Sequence, residues 1–308
     1  MVKANPRIMF IEVTDEVEEY AAGITTRINE AGIEEHVAVH RRVKGLSPFR
    51  AALGAGDEGI YKDMATYFDK VVDIEGNPIG HTRAAQQFNE QFPDGFDYPP
   101  CTYDFSVLAT AITADQVLHQ DHNPTVVKNP SESTKALLAQ FRNDFLPKEA
   151  VTSGHHFNLN HLLKAFEVYN AHWHQWNGNQ CSLFWCQVIG YLERLVPAVD
   201  AQAFCQGLYY FLEQKQPAAR GFKVESWDTS PEAPYFPLPS GSSGLGFDSG
   251  IYIAWAGAGG RAGRIEERGA RHYLKKYVEQ KHQILSALSN TWNSHPVAQS
   301  DSRPRGGA

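Results

Sequence analysis

The stretch FNLNHLLKAFEVYNAHWHQ (157–175) decides the fold class. Its apolar residues Phe157, Leu159, Leu162, Leu163, Phe166 and Tyr169 recur at close to 3.6 residues, the spacing that lines one face of a helix. Working outward, 134–146 predicts a helix capped by Ser133, and 180–195 and 199–214 predict two more, separated by Pro197. A long helix is expected over about 264–292. Toward the N-terminus the pattern is mixed. RIMFIEV (7–13) reads as a strand, and 15–31 reads as a helix between a Thr14 cap and Gly32. Residues 34–43 alternate as a strand, and 60–72, 80–92 and 104–118 read as helices, with a turn at 75–78. The expectation is a mainly α protein, a helical bundle with a small mixed α/β N-terminal portion. It divides into a mixed region over 1–130, a helical domain over 131–295 and a disordered tail over 296–308. Residues 215–250 carry Pro217, Pro231, Pro234, Pro237 and Pro239 and then a Gly/Ser run, a long irregular stretch of the functional kind, in which the loop 231–250 could act as a lid.

The 308 residues carry 28 Lys+Arg against 35 Asp+Glu, a net charge of −7. That balance argues against a nucleic-acid binder, which needs a basic footprint, and against a polybasic membrane anchor. No apolar run is long enough to span a bilayer, and the N-terminus lacks a signal-peptide core. The expected location is therefore the cytoplasm. Four cysteines without a CxxC pair argue against a disulfide scaffold and against a thiolate zinc site. Aromatic residues reach 12% and there are 13 histidines. Both suit an aromatic-walled site with imidazole chemistry and a small-molecule substrate, in a chain that could pair as a homodimer.

The densest histidine cluster is His155, His156, His161, His172 and His174, and neutral imidazole is a good metal ligand. On a straight helix, however, His161 and His172 stand roughly 16 Å apart and cannot share an ion. His36 and His40 share a strand face at a separation of roughly 13 Å, again too far. His119-Gln120-Asp121 has the His-x-Asp spacing of a non-haem Fe(II) site, to which His155 or His156 could add a third ligand. Glu279-x-x-His282 has the spacing of one half of a di-iron bundle motif, without its second half. Gly257 to Gly263 follows a strand-like run and precedes a helix. Gly259 and Gly260 could there hold a carboxylate through backbone N–H groups. No P-loop, HExxH or GxSxG occurs.

Three ordered segments carry a family resemblance. Asn179-Gln180-Cys181-Ser182-Leu183-Phe184 opens one helix. Gln206-Gly207-Leu208-Tyr209-Tyr210-Phe211-Leu212 is followed by Pro217-Ala218-Ala219-Arg220-Gly221-Phe222. Arg271-His272-Tyr273-Leu274-Lys275-Lys276-Tyr277 lies in the last helix. Together they resemble the indoleamine 2,3-dioxygenase branch of the haem-dependent tryptophan dioxygenase superfamily, over about 180–282. The resemblance implies heme b held by His272 as axial ligand, with Ser182 and Arg220 on the substrate side. It also implies an iron-dependent oxidoreductase that acts on a small aromatic or amino-acid-like substrate with O2 or peroxide. Two other functions are compatible with the residues: a non-haem oxygenase using the His119–Asp121 site, and a cofactor-free transferase, cyclase or small-ligand-binding protein.

Overall fold

In the computed structural model the described residues are 2–28, 34–115, 130–193, 195–206, 208–213, 215 and 270–293. The chain is mainly α. After a 3-10 turn at Pro6–Phe10 come two strands, β1 (Val17–Ile28) and β2 (Glu34–Val43). Helices α1 (Pro48–Ala55), α2 (Glu58–Ala65), α3 (Gly80–Gln91), α4 (Ser106–Ala114) and α5 (Glu132–Phe145) follow. Next are α6 (Asn160–His172) and α7 (Gly178–Phe184), the latter running through a π-helical turn at Trp185–Ile189 into α8 (Gly190–Glu193). The described helices end with α9 (Ala198–Gln206), α10 (Leu208–Leu212) and α11 (Ala270–Asn293).

The mixed N-terminal reading needs three corrections. The helix expected at 60–72 ends at Ala65 as α2, and a 3-10 turn at Phe68–Lys70 follows. The strand expected at 7–13 is a 3-10 turn with Pro6 at its start, followed by irregular chain. The helix expected at 15–31 is β1, paired antiparallel with β2 from Val17↔Val43 to Ile28↔Glu34. Val17, Ile24, Thr25, Thr26 and Ile28 are β-branched, and Gly23 would weaken a helix interior, so a partner strand outweighs the Thr14 and Gly32 punctuation. The expected cap of α5 also moves: Ser131, not Ser133, accepts the Thr134 N–H, at 3.3 Å. Helix α4 ends at Ala114, and 116–118 lie outside the described residues. The expected loop from 216 onward, the Gly257–Gly263 run and the 296–308 tail also lie outside them. No described helix is long and apolar enough to cross a membrane.

Two apolar clusters form the interior. One gathers Phe49, Leu53, Tyr61, Phe68, Phe88 and Phe92 from the first helices. The other gathers Phe105, Phe141, Leu162, Phe166, Tyr169, Phe184 and Phe204. Helix α11 serves both: Leu274 and Tyr277 belong to the second cluster and Leu285 to the first. Arg50 ties the N-terminal elements together, donating to the carbonyls of Gly45 at 3.1 Å and Thr152 at 2.7 Å and to Glu12 at 3.1 Å. The base of the hairpin is anchored through Val151, whose N–H donates to Arg42 O at 2.9 Å.

Candidate functional site

The junction of the two clusters holds a cavity of about 460 Å³, within the range of small-ligand sites. Its walls are rings from four parts of the chain: Tyr61 of α2, Tyr98 of the loop before α4, Phe211 of α10 and Tyr277 of α11. Helix α11 reaches it because Tyr277, Lys281, Ile284 and Leu285 recur at i, i+4, i+7 and i+8 and so share one face. A lysine in that otherwise apolar stripe must find a partner in the interior.

Asp200 is that partner. It stands in the first turn of α9, where the helix dipole favours a carboxylate. Lys281 Nζ pairs with Asp200 Oδ1, and the Tyr277 hydroxyl donates to the same oxygen at 2.8 Å. Lys281 also donates to the Gly56 carbonyl at 3.3 Å and lies 5.1 Å from the Tyr277 ring centroid. Asp200 is 1% exposed and Lys281 7%, so the pair is removed from water. Burial pushes the Asp200 carboxyl up, against the pull of Lys281 and Tyr277. Burial likewise raises the phenols of Tyr61, Tyr98 and Tyr277, which keeps them neutral hydrogen-bond donors at physiological pH.

Gly56 matters at this contact. It closes α1 with φ of +66°, and a Cβ there would lie 2.5 Å from Lys281 Nζ. At the cavity edge Asp57 caps α2, accepting the Ile60 N–H at 3.1 Å, and Glu58 pairs with Lys62. Lys215 adds a further cation, exposed on the rim. Both signs of charge therefore surround an aromatic interior.

Tyr98 is held from behind by His155, whose ring stacks on it at 3.8 Å with 19° between planes. His155 Nε2 meets the Phe96 carbonyl at 2.8 Å, which places the ring hydrogen on that nitrogen. Burial then pulls its pKa down to about 4, so the imidazole is neutral.

The other sequence-derived candidates are not gathered here. His272 is half-buried on α11, its ring edge-on to Tyr273 at 5.4 Å, and it does not line the cavity. Its side of the helix carries the Lys276–Glu213 pair at 2.7 Å. Ser182 belongs to α7, but its side chain lies outside the described residues, as do Arg220, Gly259, Gly260, His119 and Asp121. Gln180, which carries part of the resemblance, acts as a clasp. It accepts the Asn177 N–H at 2.9 Å and donates to Ile112 O at 2.8 Å, joining α7 to the end of α4.

The histidine cluster disperses. His172 Nδ1 turns back to Val168 O at 2.8 Å, His156 is buried beside Gly54, and His174 is exposed. His282 pairs with Asp97 at 2.8 Å, and Glu279 faces Lys275. Among the described residues no group of three or more His, Cys, Asp and Glu side chains is placed to hold a metal ion.

Sequence reasoning missed Asp200, Tyr277, Lys281, Tyr61 and Tyr98. The available signal was Lys281 itself, a cation in the apolar register of an amphipathic helix. No curated protein and no solved structure matches the chain. Residues 159–292 are similar to the family described as the CBUA0006 C-terminal domain, a span that includes Asp200, Tyr277 and Lys281 but neither Tyr98 nor α2.

Proposed function

We propose that the chain binds a small aromatic, amino-acid-like molecule in the cavity over the Lys281–Asp200 pair. The observation that carries this reading is the combination of four aromatic walls with charges of both signs at the edge. A ring stacks between Tyr61, Tyr98, Phe211 and Tyr277, while Lys215 on the rim faces a carboxylate and the Asp57 carboxylate an ammonium group. Aromatic contacts of this kind each add about 0.5–1.5 kcal/mol beyond area burial. Thermal unfolding in the presence of L-tryptophan, L-tyrosine, L-phenylalanine and their decarboxylated amines tests it. A ligand at a hundred times its Kd adds about 2.7 kcal/mol and raises the midpoint by several degrees. No shift with any member of the panel overturns the reading.

The iron-dependent oxygenase implied by the resemblance is a second proposal, favoured by His272 being half-buried on the 24-residue α11. If bound, heme b would supply the oxygen chemistry. A hemin titration decides it: a Soret band that disappears in His272→Ala supports it, and the spectrum of free hemin alone removes it. Elemental analysis of the purified protein addresses Fe(II) in the same way.

A further inference from the structure

A second chemical pairing lies outside the cavity, where the loop carrying Tyr98 meets the start of α6. The side-chain amide of Asn158 donates to Pro99 O at 2.9 Å. That of Asn160 donates to Tyr98 O at 3.1 Å and Pro99 O at 3.0 Å. The loop backbone is thus fixed two residues ahead of Cys101. Cys101 Sγ lies 3.1 Å from His161 Nδ1 and 3.7 Å from the Tyr103 carbonyl. The His161 ring is held edge-on to Phe145, with centroids 4.9 Å apart, and to Phe157 at 6.0 Å. Among the described residues its hydrogen-bond contact is through Nδ1.

Both groups are partly exposed. Burial raises the thiol's pKa and lowers the imidazole's, so they rest as a neutral pair. In the tautomer with the ring hydrogen on Nε2, the S–H can turn from the Tyr103 carbonyl to Nδ1. That is the arrangement in which a base takes the nucleophile's proton as it attacks. The thiolate that forms lies against His161, a side chain of the first turn of α6. The charged groups facing it are Lys164, which favours the thiolate, and Glu167, which opposes it. Tyr103 lies on its own loop, and α5 presents the uncharged Phe145.

We propose that Cys101 and His161 form a nucleophile–base pair that accepts an acyl group from an activated ester or thioester. The S–C bond forms as His161 Nδ1 takes the thiol proton. The bond from the acyl carbon to the leaving oxygen or sulfur then breaks, and the imidazolium returns the proton to that leaving group. Water, deprotonated by the same imidazole, releases the acid and regenerates the thiol.

The test uses the full chain and p-nitrophenyl acetate, with nitrophenol release followed by absorbance and the acetylated peptide identified by mass spectrometry. The expected result is a burst of one equivalent with acetyl on Cys101. The rate should rise along a limb with its midpoint below 6.5, the ordinary value for histidine that burial lowers here. His161→Gln should slow the burst at least tenfold, the lower range of base catalysis being about a hundredfold, and Cys101→Ser should abolish it. Acetyl on another residue, or a single limb above pH 9, overturns the proposal. So does a folded His161→Gln protein that reacts like wild type. Should that variant not fold, the wild-type profile and labelled site decide alone.

Discussion

Replacing Lys281 by Met removes the ammonium group while keeping most of the side chain's length and its place in the α11 stripe. Asp200 is then left 1% exposed, with the Tyr277 hydroxyl at 2.8 Å as its remaining polar contact among the hydrogen bonds described above. Breaking one side of a buried pair typically costs about 3–5 kcal/mol. The loss is pH-dependent. Burial already holds the Asp200 carboxyl above its ordinary value, and loss of Lys281 raises it further. A carboxyl whose folded-state pKa exceeds its unfolded one contributes stability that is complete below the unfolded value and is lost as pH rises through the folded value. Lys281→Met should therefore be worst at neutral and alkaline pH and partly recover as Asp200 protonates in mild acid. Asp200→Asn combined with Lys281→Met should cost much less than the two single losses together, because no charge is left stranded. Urea unfolding at several pH values, compared at constant slope, measures both effects. A loss below about 1 kcal/mol with no pH dependence would refute the buried-pair reasoning.

His155 gives a second pH signature. Its unfolded imidazole titrates near 6.5 and its folded one near 4, so stability is complete above 6.5 and falls toward pH 4. The drop attributable to this residue is about 3 kcal/mol, and in acid-unfolding curves His155→Gln should flatten that limb relative to wild type. Gly80 opens α3 where any Cβ would run into the Phe68 carbonyl. Gly80→Ala should cost about 3 kcal/mol in denaturant unfolding, the upper end of overpacking losses, and a cost below about 0.5 kcal/mol would contradict that packing.

The helical part of the fold was legible because its signal is local. Leu162, Phe166 and Tyr169 lie within one stretch and point to one side, as α6 confirms. The N-terminal error arose where the deciding interaction is distant. Nothing within 15–31 reveals that Thr25 will sit opposite Val37, and Glu16, Glu18 and Glu19 with Ala21 and Ala22 imitate a helix. The same distinction governs the sites. Tyr277 and Lys281 lie one helical turn apart and could have been paired from sequence, but Asp200 joins them from 77 residues away. Cys101 and His161 are separated by 60 residues, and only the asparagine-pinned loop brings them into contact. Single positions such as Gly56 reveal their role only when the neighbour is known, here the ammonium of Lys281.

The tyrosine-walled cavity is the proposed ligand site. Isothermal titration calorimetry of the wild-type chain and Gln280→Trp with the aromatic ligand giving the largest thermal shift tests this most directly. Gln280 lines the cavity from a half-exposed position, so an indole there fills the space without removing a core contact. The prediction is saturable binding of one molecule per chain by the wild type and its loss in Gln280→Trp, with unfolding midpoints unchanged. Equal binding by both proteins would contradict the account.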